Sequence, residues 1–72
     1  MDSNNFGQWV RARRLARGWT GQQLARRAGL SQSCISMIEL GVRCPTLDTA
    51  TRIARALGAD LWEALREIQD PA

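Results

Sequence analysis

Residues 21–40 read GQQLARRAGLSQSCISMIEL, and this stretch decides the fold. Its first half places Leu24, Ala25 and Ala28 at helical spacing before Gly29, a residue free to take the left-handed backbone of a tight turn. Ser31 then opens a second helix, with Ile35 and Ile38 one turn apart on a single face. Ala25 falls where two helix backbones touch, and a larger side chain there would push them apart. The pattern predicts two short helices meeting at a glycine turn, with Gln32, Ser33 and Ser36 on a polar face at the start of the second.

Working outward, the chain reads as five helices and no strand. Asn5 with Gln8 has the spacing of a capping box opening a first helix to about Arg17, with Gly18 as its stop. Thr20 with Gln23 opens the second helix in the same way. The third ends near Leu40 at Gly41, and residues 41–45 form a loop. Thr46 caps a fourth helix, which Gly58 breaks; Asp60 with Glu63 caps a fifth, which runs until Pro71. Helices this short are marginal alone and must share a core. Phe6, Val10, Trp19, Leu24, Ala28, Leu30, Ile35, Ile38, Leu47, Ile53, Leu57 and Leu61 are expected to form it. Trp9 and Leu15 either face outward from the first helix or fill an irregular core. The fold class is all-α, one domain over residues 1–72 with frayed ends.

Composition narrows the function. The chain has no histidine, and Cys34 and Cys44 are too few for a four-ligand zinc site, so neither a metal nor a cofactor is expected. Without clustered acids, a phosphate-binding glycine loop or room for a substrate cavity, the pattern does not describe an enzyme, and no small-molecule ligand is evident. No apolar run reaches the roughly 20 residues that span a bilayer. Absence of a secretory leader makes a reduced, cytoplasmic setting the expectation. The net charge of +3 is unevenly spread: residues 1–45 carry +5 and residues 46–72 carry −2. All ten basic residues are arginine, suited to bidentate contact with phosphate or guanine. The basic half is the half containing the helix pair, and its partner is expected to be polyanionic.

A helix fixed by its buried face, with short or flexible polar side chains at its exposed start, can read base edges in a major groove. Gln32, with two donors and an acceptor, suits adenine, or guanine through one hydrogen bond; Ser33 and Ser36 donate to several acceptors and so specify little alone; Met37 suits a thymine methyl. Arg11 and Arg17 on the first helix, Gln22 and Arg27 on the second, and Arg43 in the loop are candidate phosphate contacts, which position without reading sequence. Cys34, beside the readers, has no resolving partner in sequence and reads as a small surface or half-buried residue.

From Phe6 to about Leu65, and most plainly in GWTGQQLARRAGLSQSCISMIELGVRCP and IARALGADLWEAL, the chain resembles the Cro and phage-repressor type of helix-turn-helix domain, the XRE family. The resemblance implies a compact lambda-repressor-like fold with helices 2 and 3 as the motif. It also implies a homodimer on a palindromic double-stranded DNA operator, regulating transcription. Arg14 and Glu39 match a pair that in the family forms a partly buried ion pair, which assigns them a structural role and removes them from the base readers. One departure stands out: where the family commonly has a glutamine after the cap of the second helix, this chain has Gly21. Gln22 points about 100° away on a helix, so the free backbone amides there become the alternative phosphate ligand. The length matches small members such as restriction-modification controller proteins, and with no effector domain in view, occupancy would follow the regulator's own concentration.

Leu61, Trp62, Leu65 and Ile68 give the last helix more apolar surface than its attachment needs, which makes it the expected dimer surface. A rival reading is a protein-interaction module such as an antitoxin or adaptor, using Trp9, Leu15 and Trp62. Loss of duplex binding with rising salt separates the two.

Overall fold

The computed structural model describes residues 3–69, with side chains placed over 5–68. Five helices account for most of it: α1 (Ser3–Ala16), α2 (Gly21–Ala28), α3 (Gln32–Glu39), α4 (Leu47–Ala56) and α5 (Leu61–Gln69). No strand occurs among the described residues. Local chemistry sets most boundaries. The Thr20 hydroxyl accepts from the Gln23 amide while the Gln23 side chain accepts from the Thr20 amide, a complete capping box. Ser31 and Thr46 accept from Cys34 and Thr49 in the same manner, and Asp60 accepts from the Glu63 amide at 2.7 Å. Gly29 stops α2 at φ 72°, ψ 34°, its amide donating back into the last turn.

The packing order places α3 against α2 and α1, α4 against α2, and α5 across α1 and α4. Phe6, Val10, Leu24, Ile35, Ile38, Ile53 and Leu57 are fully buried at the centre. Small residues let the elements close on one another: Ala25 and Ala28 under α3 and α4, with Ala50, Ala54, Ala59 and Ala64 in the rest of the core. Gly7 is buried inside α1, where a Cβ would stand 2.1 Å from the Ile38 carbonyl oxygen. A glycine within a helix costs roughly 0.5–1 kcal/mol relative to alanine. Here it permits direct backbone contact between α1 and α3.

Several sequence expectations are corrected. The first helix begins at Ser3, so Asn5 and Gln8 lie within it and do not cap it. Leu47 is 75% exposed, because it is the first residue of α4 and lies beyond the stripe of Ala50, Ile53 and Ala54. Of the two ambiguous residues, Trp9 is buried beside Phe6, their rings stacked at 5.9 Å, and Leu15 is exposed. On α5 the residue wholly inside is Ala64; Leu61, Leu65 and Ile68 are only half-buried around it. Trp19 and Leu30 pack at the core's edge. The expected stop at Pro71 lies outside the described residues.

Candidate nucleic-acid interface

Burial fixes the orientation of α3. Ile35 and Ile38 are 1% and 0% exposed, so the side chains projecting opposite them, Gln32, Ser33 and Ser36, stand in solvent. Met37 is half-buried, and its carbonyl accepts from the Val42 and Arg43 amides at 3.0 and 3.3 Å, folding the following loop back onto the helix end. Arg43 is exposed on that loop.

An ion pair anchors the far end of α3. Arg14 Nε donates to Glu39 Oε2 at 2.8 Å and Nη2 to Oε1 at 3.0 Å, while Nη1 donates to the Trp19 carbonyl at 2.7 Å. One guanidinium therefore ties α1, the α1–α2 turn and α3 together, with both charged side chains largely buried. The hydrogen bond to Glu39 is the main cause raising the Arg14 guanidinium above its ordinary value, against burial, which lowers it. The pairing suggested by the family resemblance is thus present in a bidentate geometry.

Beside α3 is an open recess of about 270 Å³ whose lining includes Arg11, Gly21, Gln32 and Ser36, with the Arg14–Glu39 pair also on its wall. A Cβ at Gly21 would meet nothing within 4 Å, so the missing side chain leaves open space in the recess that Gln32 and Ser36 also line. The structure brings Arg11 to the same recess as Gln32 and Ser36. Gln22 is exposed on α2. Arg17 and Arg27 gather elsewhere, their guanidinium carbons 5.1 and 4.3 Å from the centre of the Trp19 ring.

A second polar cluster was not foreseen. Trp9 Nε1 donates to Glu67 Oε1 at 3.0 Å, Arg13 donates to Glu67 Oε2, and the Arg13 guanidinium lies 5.3 Å from the Trp9 ring centre. The i, i+4 spacing of Trp9 and Arg13 was legible in sequence; their meeting with a residue 58 positions beyond Trp9 was not. The hydrogen bond from Trp9 lowers the Glu67 carboxyl below its ordinary value, burial opposes this, and Arg13 adds to the lowering. No group of side chains able to hold a metal occurs among the described residues, and no helix is long and apolar enough to cross a membrane.

Residues 10–61, which contain α2, α3, α4 and most of the contacts just described, match the helix-turn-helix family. The chain belongs to that family, in its XRE branch. An HTH-type transcriptional regulator of Sinorhizobium fredii, y4dL, is 39% identical across 97% of this chain, which spans 39% of that relative's length. Among solved structures, the clp gene regulator ClgR of Corynebacterium glutamicum superposes with a TM-score of 0.87 at 25% identity, covering 96% of this chain and 73% of that one. The restriction-modification controller protein C.AhdI of Aeromonas hydrophila gives 0.82 at 32% identity, covering 86% and 94%. The five-helix lambda-repressor-like fold follows from the family match and the superpositions together.

Proposed function

We propose that the protein reads a palindromic operator in double-stranded DNA as a homodimer and thereby regulates transcription in the cytoplasm. The observation that carries this reading is the division of α3, whose apolar face is wholly buried while Gln32, Ser33 and Ser36 are exposed together at its start. With α3 in a major groove, Gln32 pairs with a base edge, the two serines complete the pattern, and Met37 covers a thymine methyl. Arg11 beside the recess and Arg43 after the helix close on phosphates, with Gln22 on α2 as the outlying candidate, while Arg17 and Arg27, expected from sequence to join them, are engaged with Trp19.

A second copy docks on α5. Trp62 is 69% exposed there, next to the half-buried Leu61, Leu65 and Ile68, a concentration of apolar surface that a symmetric partner would cover. Two copies then present their reading helices to half-sites one turn of DNA apart, about 34 Å.

Selection of bound duplexes from a random pool, followed by Gln32→Ala and Ser36→Ala on the recovered site, tests the reading. Each substitution is expected to cost about 1–3 kcal/mol at particular base pairs. Equal weakening on all duplexes, or association that ignores salt concentration, would overturn it in favour of a protein adaptor.

A further inference from the structure

Trp19 carries two cations. Arg17, at the end of α1, and Arg27, in the last turn of α2, both stand over its ring, and neither pairs with a carboxylate among the described residues. The cluster is held in place from a third side: a Cβ on Gly58, in the α4–α5 turn, would stand 2.3 Å from Arg17 Nη2. Two turns and one helix end thus meet around an indole, and the charge there is positive. A guanidinium resting on an aromatic face keeps its N–H edge for an outside acceptor, at reduced conformational cost because the ring already orders it.

Location separates this cluster from the DNA-reading side. It shares no residue with the recess that holds Arg11, Gln32 and Ser36, and it extends to the α4–α5 turn, whereas α3 packs mainly on α1 and α2. We infer that Arg17, Trp19 and Arg27 form a docking site for an acidic polypeptide segment, distinct from the operator surface. Paired carboxylates meet the two guanidiniums, and the side-chain methylenes lie along the half-buried indole. The inference stands apart from the operator reading, since either can fail alone.

The test titrates the full ¹⁵N-labelled chain with a short poly-glutamate peptide, with poly-glutamine as the uncharged control, and measures duplex binding in parallel. The Trp19 indole signal is expected to move with poly-glutamate only. Arg17→Gln with Arg27→Gln is expected to weaken the peptide by about tenfold or more, leaving duplex affinity and its salt dependence unchanged. Because Arg17 also packs on Gly58, Arg27→Gln alone serves as the variant that keeps the fold, with a smaller loss in the same direction. Peptide binding that survives both variants, or leaves Trp19 unmoved, would overturn the inference. So would a duplex salt slope that falls by about one for each arginine removed, which would make the cluster a phosphate clamp.

Discussion

The two ends of this small bundle are held by different kinds of contact. The α2–α3 pair is locked from within: Leu24, Ile35 and Ile38 are fully buried, Gly7 lets α1 touch the end of α3, and a largely buried ion pair closes the assembly. The α5 end is held nearer the surface: of its described side chains only Ala64 is wholly inside, Leu61, Leu65 and Ile68 are half-buried, and the clasp of Trp9, Arg13 and Glu67 has charged side chains that are 35% and 44% exposed. Buried contacts outlast changes of salt and pH, whereas solvated ones are tuned by them. The helix proposed to read DNA therefore belongs to the stiff part of the molecule, and the helix proposed to meet a second copy belongs to the adjustable part.

Breaking the inner lock gives the largest effect. Glu39→Ala leaves Arg14 buried without its carboxylate and is expected to cost about 3–5 kcal/mol in a denaturant melt. Replacing Arg14 and Glu39 together with methionine should recover much of that loss; failure to recover would mean the pair contributes net stability here. Next in size is Gly7→Ala, whose methyl group meets backbone and cannot be relieved by a rotamer change. It should destabilise by about 1–3 kcal/mol and shift the amide resonances of α3. A melt equal to that of the parent would show that α1 and α3 do not touch as described.

The outer clasp responds more weakly. Glu67→Gln removes a screened ion pair, with an expected loss below about 1 kcal/mol, visible as faster hydrogen exchange in α5 than in α2–α3. Its acid dependence has a definite sign. Because the folded carboxyl titrates below its ordinary 4.5, its contribution is complete above that value and is lost as pH falls through the lowered one. Exchange that quickened equally in α3 would erase the distinction between the two ends. Smallest is Gly21→Ala: with open space at the Cβ position and no left-handed backbone there, the substitution should stabilise by about 0.4–1 kcal/mol. If it also weakens duplex binding, the recess beside the readers is in use.

Much of this architecture was legible in the sequence. Thr20 with Gln23, Ser31, Thr46 and Asp60 announce four helix starts because capping is local chemistry, complete within three residues. The buried face of α3 followed from Ile35 and Ile38 in the same way. The rest depended on contacts between distant residues. Asn5 and Gln8 have the spacing of a cap yet lie inside α1, and Trp9 turns inward because Phe6 and Glu67 receive it. Gly7, Ala59 and Ala64 matter through what approaches them, and a side chain of one carbon or none leaves no trace in an apolar pattern. The arginines were countable but not assignable: sequence placed Arg11, Arg17 and Arg27 together as phosphate ligands, while the structure seats Arg11 at the recess and the other two on Trp19.

The separation of roles along α3 has an evolutionary corollary. Since Gln32, Ser33 and Ser36 are exposed and lie outside the buried core, exchanging them for other good helix formers leaves the core contacts of α3 in place. On the proposed reading, a duplicated copy of this chain acquires a new genomic address by altering a few solvent-facing letters, with its core intact.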